Sequence, residues 1–359
     1  MKKVLEFVNR DRELVALIII TVLVALYVYN ALGNRVFSPL GISSMAIQIA
    51  EFGFFALAMG LAMLTGGIDL SVAAAAGLSG LMGALVMSGA FIAITDTNHS
   101  YIFFLGVVAT LVTGVLTGLV NGFLIAKISV PPILATLGTM IFFTGIGMAI
   151  TGGNSVGIQI PMYANFFAGT QVFGLPLMFV VLIAVFFIVA FLLNRTMTGR
   201  SVYLFGENEV ALRFAGHRTE RTIMMTYVLI GLLMGLAALL IIARANSMRI
   251  GYGEGYLLQA ILVVVLAGFN PFGGKGRILN IFVGLILLQL VATSINAFGL
   301  SPYHRNLTFG LILILVMGIN FAANRWGSKA KPKLSLPGIA PTTEAILLRR
   351  GRNKKESQR

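Results

Sequence analysis

Residues 195–221 read RTMTGRSVYLFGENEVALRFAGHRTER and interrupt long stretches that carry no charge. Five arginines and three glutamates stand here between two uncharged runs, 128–194 and 222–243. A charge in the hydrocarbon of a bilayer costs about 2.5–3.5 kcal/mol on insertion scales, so this stretch must lie in water. Its excess of arginine predicts the cytoplasmic side. We therefore expect a membrane protein whose two apolar halves are joined by an exposed cytoplasmic loop.

The inner part of this loop predicts a short helix. Asn208 is suited to cap its beginning, because its side chain can accept from a free backbone N–H, and Gly216 is suited to end it. Ala211, Leu212 and Phe214 supply an apolar face. An exposed helix needs a surface against which to bury such a face, so we expect a cytoplasmic partner protein here.

The composition is that of a polytopic helical membrane protein. Hydrophobic residues make up 58% of the chain and charged residues 11%, against about a quarter charged in soluble domains. Apolar runs of roughly twenty residues recur, which is the length of a transmembrane helix. The strands of a transmembrane barrel alternate polar and apolar residues, and these runs do not.

The distribution of charge and the content of cysteine and histidine exclude several classes of function. The net charge of +14 is concentrated in the N-terminus, the central loop and the tail. Topology explains that distribution better than a nucleic-acid partner does. Cysteine is absent and the three histidines are scattered, so we predict neither disulfides nor a metal site.

Ten apolar spans are predicted, which gives an all-α fold with both termini on one side of the membrane. The spans are Leu14–Leu32, Ile42–Leu64, Leu70–Ile94, Tyr101–Ala126, Ile133–Thr151, Gly174–Leu193, Thr222–Ile242, Tyr256–Ala267, Ile278–Ala297 and Leu307–Ala323. Of the 26 lysines and arginines, only Arg35, Arg244, Arg249 and Arg305 then lie outside. The positive-inside rule therefore places both termini in the cytoplasm.

Residues 1–326 are expected to form one transmembrane domain that includes the loop 195–221. Residues 327–359 are rich in proline, serine and lysine and predict a disordered basic tail, because they cannot bury enough apolar surface to fold. Gly114, Gly118 and Gly122 recur at every fourth position, which predicts close packing between helices. The uncharged outer segment Gly152–Gly174 can be either a docking surface for an external protein or an ordinary loop.

Two glycine pairs separate apolar runs in a similar way. Gly66-Gly67 and Gly273-Gly274 each follow one run and precede a charge and the next run. Their recurrence indicates an internal repeat of the kind found in transporters. Such pairs permit a broken or re-entrant helix whose freed backbone groups line a cavity. Simple tight turns are the alternative interpretation.

Two acidic residues stand close to or within the apolar spans. Asp69 can cap the helix that is predicted to start near Leu70. Glu51 lies inside the second span, where an unpaired carboxylate would be costly, so we expect it to be paired or protonated. An intramembrane acid is a candidate functional residue. Glu51 and Asp69 therefore leave open a second class of function, an ion- or proton-coupled secondary transporter.

No catalytic residues are predicted. The chain contains no Gly-x-x-x-x-Gly-Lys-Ser/Thr loop for phosphate, no His-Glu-x-x-His and no plausible pair of nucleophile and base. We therefore expect a protein that is not an enzyme, that holds no cofactor of its own, and that depends on another protein for energy. A membrane-bound scaffold or receptor without transport activity is a third possibility.

Three motifs resemble those of one family. TGGIDLSV (65–72), GENEVALRFAG (206–216), and LAG with FGGKGR (266–277) occur in this order. They are similar to signatures of the permease subunits of ribose-type ABC importers, which include simple-sugar and autoinducer-2 permeases. The likeness runs from about Ile42 to Asn320 and omits the head, the first span and the tail.

The resemblance implies a dimeric permease in the bacterial inner membrane that imports a sugar or sugar-like solute. A separate ABC ATPase, which binds ATP and Mg, would engage the cytoplasmic loop, and a periplasmic binding protein would deliver the substrate. The residues expected to couple to the ATPase are Gly206, Asn208, Glu209, Ala211, Arg213 and Gly216. Those expected to shape a helix break near the pathway are Gly66, Gly67, Asp69, Ser71, Gly273 and Gly274.

The chain departs from the family pattern at two functional motifs. Glu207 stands where the coupling motif usually has a second glycine. The segment Gly255–Gln259 carries no acid, whereas family members often have a Tyr-Glu-Leu-Asp run there. The loss of the acid means that the sugar-contact roles of the family do not carry over to this segment. It also favours a permease that pairs with a different, more typical subunit in a heterodimer.

Overall fold

A computed structural model shows a mostly helical protein and describes residues 12–95, 97–160, 163 and 165–329. Residues up to Ile314 form one unit, to which all of the following contacts belong, and a second unit begins at Leu315. The predicted tail 327–359 lies almost wholly outside the described residues and stays a prediction.

Thirteen helices and four two-residue strands are present in the part of the chain that the structure describes. The helices are α1 (Arg12–Leu32), α2 (Asn34–Phe37), α3 (Pro39–Leu64), α4 (Val72–Met87), α5 (His99–Ala126), α6 (Pro132–Thr151), α7 (Leu177–Arg195), α8 (Met197–Glu207), α9 (Glu209–Phe214), α10 (Thr219–Ala245), α11 (Glu254–Leu266), α12 (Ile278–Ala297) and α13 (Pro302–Lys329). The strands are β1 (Val156–Gly157), β2 (Gln171–Val172), β3 (Leu175–Pro176) and β4 (Ser247–Met248). A π-helical turn spans Asn165–Gly169.

A helix lies at each of the ten predicted spans, and seven of them are long and apolar enough to cross a membrane. These seven are α1, α3, α5, α6, α7, α10 and α12. Helices α4 and α11 are shorter, with 16 and 13 residues. The predicted end of α4 near Ile94 is wrong, because the helix stops at Met87 and the chain turns at Gly89 with φ +83°. The polytopic helical class is confirmed, whereas the count of ten spans stays a prediction.

Burial separates central from peripheral helices. Helix α3 is almost entirely buried, whereas most side chains of α1 are exposed. Helices α10 and α12 are also mostly buried, while α5, α6 and α7 expose many of their apolar side chains. An exposed apolar surface on a peripheral helix suits contact with lipid. The core therefore lies around α3, α4, α10 and α12.

The glycine stripe of α5 packs as predicted. A Cβ atom added at Gly118 would lie 2.2 Å from the carbonyl oxygen of Tyr227 in α10. One added at Gly114 would lie 2.5 Å from the carbonyl oxygen of Gly231. Because only glycine allows such an approach of two backbones, the stripe joins α5 to α10.

The segment between α6 and α7 is tied to the connection that follows α10. Strand β1 pairs antiparallel with β4, so that Val156 faces Met248. The buried Tyr163 donates a hydrogen bond through its hydroxyl to the carbonyl oxygen of Leu239 in α10, at 2.8 Å. The alternation of spans puts these two connections on the same side, and their pairing agrees with that alternation.

Candidate functional site

The loop 195–221 forms two helices rather than one. Helix α8 was not predicted, although Thr196 offers a capping signal, since its Oγ1 accepts from the backbone N–H of Gly199 at 3.1 Å. Helix α9 begins as predicted, with Asn208 Oδ1 accepting from the backbone N–H of Ala211 at 2.9 Å. Gly216 follows its end with φ +83°, the left-handed conformation expected of a helix stop.

The predicted apolar face of α9 is partly wrong. Leu212 is buried, whereas the side chain of Phe214 is 89% exposed. Residues two apart lie on opposite sides of a helix, so these two cannot share one face. Val210, which is exposed and four positions before Phe214, completes the outward apolar patch instead.

Polar groups flank this patch. Arg213 Nη2 donates to Glu209 Oε1 at 2.8 Å, an i,i+4 pair on the surface of α9. We call Glu209, Val210, Arg213 and Phe214 the α9 surface. It offers a partner both apolar area and a charged rim.

An exposed ion pair links the loop to a second connection. Lys127, just after α5, pairs with Glu220 in the first turn of α10. The hydrogen bond from Lys127 lowers the pKa of the Glu220 carboxyl. The contact puts the α5–α6 connection and the loop 195–221 at the same end of the bundle, as the alternation of spans requires.

Gly206, at the end of α8, lies directly on the backbone of two other segments. A Cβ atom added there would lie 1.9 Å from the carbonyl oxygen of Leu64 and 2.3 Å from the backbone nitrogen of Gly274. The backbone N–H of Gly274 also donates to that carbonyl of Leu64 at 3.0 Å. The last residue of α3, the end of α8 and the α11–α12 connection therefore meet with no side chain between them.

Gly66 of the first glycine pair and both glycines of the second pair meet at this same place. Gly66 and Gly273 have φ +77° and +98°, conformations that side-chain-bearing residues rarely adopt. A Cβ atom added at Gly273 would lie 2.9 Å from the backbone nitrogen of Gly66 and 2.7 Å from the carbonyl oxygen of Gly206. We call Gly66, Gly206, Gly273 and Gly274 the glycine junction. Whether either pair forms a re-entrant turn within the membrane stays a prediction.

The break between α3 and α4 is built on Asp69. Its buried Oδ1 accepts from the backbone N–H of Ser71 at 2.8 Å and from the Ser71 hydroxyl at 2.7 Å. Helix α4 begins at Val72, two residues later than expected, and Ser71 holds the N-cap position. Asp69 thus fixes the turn that leads into α4. Among the residues described, none forms a hydrogen bond with its Oδ2.

A buried polar network, not predicted from the sequence, ties this break to α5 and α6. Asn121 Nδ2 donates to the Ser71 hydroxyl at 2.7 Å, and the Thr139 hydroxyl donates to Asn121 Oδ1 at 2.6 Å. The Thr136 hydroxyl accepts from the backbone N–H of Leu70 at 3.1 Å. Buried hydrogen bonds of this kind hold a turn in one conformation, because leaving a partner unsatisfied costs about 1–3 kcal/mol.

The connection between α11 and α12 is held by α8. The Tyr203 hydroxyl donates to the carbonyl oxygen of Gly276 at 3.1 Å. Within the connection, the side chain of Asn270 accepts from the backbone N–H of Phe272 at 3.1 Å. Helix α8 therefore contacts this connection at Tyr203 as well as at the glycine junction.

Glu51 is paired, as its position in an apolar span predicts. Its carboxylate is 0% exposed, accepts from the Tyr256 hydroxyl at 2.8 Å and forms an ion pair with the Arg244 guanidinium. The end of α3 at Leu64, which Asp69 follows, lies about 20 Å along the helix axis from Glu51 at 1.5 Å per residue. The structure therefore does not join these two acids in one site.

A family profile described as the permease component of branched-chain amino acid transport systems matches residues 41–317. That region includes the glycine junction, the α9 surface and the pair of Glu51 with Arg244. The chain belongs to this permease family.

Three relatives of this permease are named for sugar or autoinducer transport. The ribose import permease protein of Bacillus subtilis (strain 168) is 31% identical over 292 residues, which cover 81% of this chain and 87% of that protein. The L-arabinose transport system permease protein of Escherichia coli (strain K12) is 31% identical over 297 residues, 81% of this chain and 84% of that protein. The autoinducer 2 import system permease protein of Yersinia enterocolitica serotype O:8 (biotype 1B) is 29% identical over 287 residues, 77% and 83%. No solved structure matches the chain significantly.

These comparisons confirm the resemblance to ribose-type ABC importer permeases. Together with the seven membrane-length helices, they make the chain a multi-pass permease of the inner membrane. The relatives are transport permeases rather than enzymes.

Proposed function

We propose that this permease is the transmembrane subunit of an ATP-driven importer for a sugar or sugar-like solute. A separate ATPase binds the α9 surface and drives the transport. The observation that carries the proposal is the glycine junction. Through it, the segment that bears α9 touches the end of α3 and the α11–α12 connection. A displacement of α8 and α9 therefore reaches both halves of the bundle directly.

The chemistry of the junction suits the transmission of movement. Backbone atoms at van der Waals distance cannot relax by changing rotamer, so a shift at Gly206 must move Leu64 and Gly274 with it. Packed contacts of this kind switch between discrete arrangements rather than deforming smoothly. From Leu64 the movement passes to the break at Asp69 and Ser71, which adjoins the start of α4.

The remaining parts of the proposal come from the topology and the family. In the predicted topology of ten spans with both termini in the cytoplasm, the α9 surface lies on the side where ATP is available. ATP and Mg are bound by the ATPase, and a periplasmic binding protein delivers the solute. A second permease subunit completes the pathway. The absence of an acid in Gly255–Gln259 favours a heterodimer.

The structure does not favour a secondary transporter that uses Glu51 and Asp69. Glu51 already has a cationic partner and a hydroxyl donor, and Asp69 bonds to its own turn. The two acids lie in separate environments.

A docking variant tests the proposal in proteoliposomes that contain the permease with its co-purified ATPase. Phe214→Asp puts a charge on an exposed position, so the fold should persist. Loss of an apolar interface anchor should weaken ATPase binding by about 2 kcal/mol, roughly thirtyfold. The double variant Glu209→Gln/Arg213→Gln should retain ATP hydrolysis and lose most of the uptake.

The matched control neutralises the exposed pair Lys127 and Glu220, which lies at the same end but outside α9. That variant should keep wild-type uptake. Wild-type ATPase binding and uptake in the Phe214 and Glu209/Arg213 variants would refute the proposal. Uptake that persists without ATP and stops when the proton gradient collapses would support the secondary transporter instead.

A further inference from the structure

A cavity lies at the C-terminal end of α10, away from the loop 195–221. Its volume is about 360 Å³, inside the range of about 300–1,000 Å³ typical of small-molecule sites. It is lined by Arg244 from α10, by Tyr256 and Gln259 from α11, and by Arg305 from α13. Most of these side chains are hydrogen-bond donors, and they come from three different helices.

One of the two positive charges at the cavity is already balanced. Arg244 pairs with the buried Glu51, which lies behind the wall, and the Tyr256 hydroxyl donates to the same carboxylate. The exposed part of Arg244 still faces the cavity, since 48% of its side chain remains accessible.

The second positive charge is not balanced by a neighbour in the described part of the chain. None of the described residues accepts a hydrogen bond from the buried Nε of Arg305. Glu254, the acid at the start of α11, lies against Gly251 instead of lining the cavity. Arg249 lies nearby, 5.3 Å over the ring of Tyr252. The cavity is therefore bordered by more positive than negative charge.

We propose that this cavity binds the transported solute and that the solute is an acidic sugar, a polyhydroxylated molecule with a carboxylate or a phosphate. The inference rests on the proposed import function and specifies its substrate class. The cavity lies among the connections that the charge distribution places outside, where a delivered solute arrives. Neither the family nor the names of the relatives assign an acidic solute to this chain.

The donor set fits such a molecule. A guanidinium binds carboxylate or phosphate through two parallel hydrogen bonds, which suits Arg305 as the contact for the anion. Gln259 can both donate and accept, as sugar hydroxyls require. A neutral sugar satisfies Gln259 but offers no negative charge to the Arg305 guanidinium, so it should bind more weakly.

Binding to the full-length permease, with its co-purified subunits in phosphatidylcholine nanodiscs, tests the inference. The probes are D-glucuronate and D-glucose 6-phosphate, each compared with D-glucose. At least one acidic probe should bind tighter than D-glucose by about tenfold or more, the usual effect of a hydrogen bond to a charged group. The two probes distinguish a carboxylate from a phosphate. Equal affinities, or no binding of either acidic probe, would overturn the inference.

Matched arginine variants locate the site. Arg305→Gln should lose the preference for the acid, while Arg305→Lys, which keeps the charge, should retain part of it. Arg35→Gln makes the same change at an exposed arginine outside the cavity and should leave binding unchanged. An acid preference that survives in Arg305→Gln would contradict the assignment.

A lipid headgroup is the competing source of an anion. Nanodiscs that also contain phosphatidylglycerol separate the two, because a solute site binds the acidic probe equally well in both lipids. Retention of phosphatidylglycerol that depends on Arg305, without binding of the acidic probes, would overturn the inference. ATP-driven uptake of neutral sugars alone would overturn it and leave the proposed import function standing. Absence of any ATP-driven uptake would refute the import function, while the binding comparison would still test the cavity.

Discussion

The glycine junction and the cavity at the end of α10 are built in opposite ways. At the junction, three segments meet backbone to backbone, and any added side chain collides with main-chain atoms. At the cavity, long charged side chains border open space, and one of them holds a buried carboxylate. The first arrangement can transmit a displacement, whereas the second can bind a solute.

The glycine junction and the cavity wall are stabilised in different ways. The glycine junction requires that no side chain lie between its backbone segments, so adding a methyl group is the damaging change. The cavity wall depends on compensated charge, so removing one partner is the damaging change. Substitutions of opposite kinds should therefore test the two regions.

The largest effect is expected from Gly206→Val. The new Cβ would lie 1.9 Å from the carbonyl oxygen of Leu64, which cannot move without shifting α3. Overpacking a core costs about 1–3 kcal/mol and occasionally more, and we expect at least the upper value here because the clash is with backbone. Both the thermal unfolding temperature of the purified permease and the rate of ATP-driven uptake should fall.

Gly145→Val is the control for this change, because a Cβ atom at Gly145 would meet nothing within 4 Å. It should unfold like the wild type, since valine is no worse than glycine in a helix. A Gly206→Val permease with normal stability and uptake would remove the distinction between the junction and the rest of the bundle.

An intermediate effect is expected from Arg244→Met. The change leaves the fully buried Glu51 without its cation, and breaking a buried pair costs about 3–5 kcal/mol. Since 48% of the Arg244 side chain is accessible, we expect a smaller loss of about 1–3 kcal/mol.

A double-mutant cycle with Glu51→Gln measures this pair. The double variant should be more stable than Arg244→Met alone, because the uncompensated charge is gone. If the two losses simply add, the wall of the cavity does not depend on charge compensation.

The smallest effect is expected from Lys127→Met. Both partners of the Lys127–Glu220 pair are mostly exposed, and exposed pairs stabilise little. The pairing lowers the pKa of the Glu220 carboxyl below its ordinary value of 4.5. The stabilisation that the pair provides is therefore present above pH 4.5 and is lost as the pH falls through the pKa of Glu220 in the folded protein. Thermal unfolding at neutral pH should hardly distinguish the variant from the wild type. A large loss would mean that this connection is as tightly built as the glycine junction.

Local features of the fold could be predicted because their causes are local. Runs of about twenty apolar residues place the helices, Asn208 and Gly216 bound α9, and the spacing of Gly114 and Gly118 predicts the close approach to α10. Helix α8 also has a local signal, the cap at Thr196. It was missed because the surrounding charges indicated a loop.

Contacts between distant parts of the chain could not be predicted in this way. A carboxylate at Glu51 in an apolar span requires a partner, yet Tyr256 follows it by 205 positions. The side of α9 on which Leu212 lies depends on what packs beneath that helix. The same holds for Asn121, whose bonds to Ser71 and Thr139 require three segments to be in place.

The amino-acid sequence by itself determined that this chain spans the membrane, where most of its helices lie, and which family it resembles, because hydropathy, capping and short motifs act over a few residues. Only the tertiary structure decided that Gly66, Gly206, Gly273 and Gly274 form one junction and that Arg244 and Arg305 border one cavity. The reason is that packing, which depends on the shapes of whole helices, chooses among the many pairings that the same local signals allow.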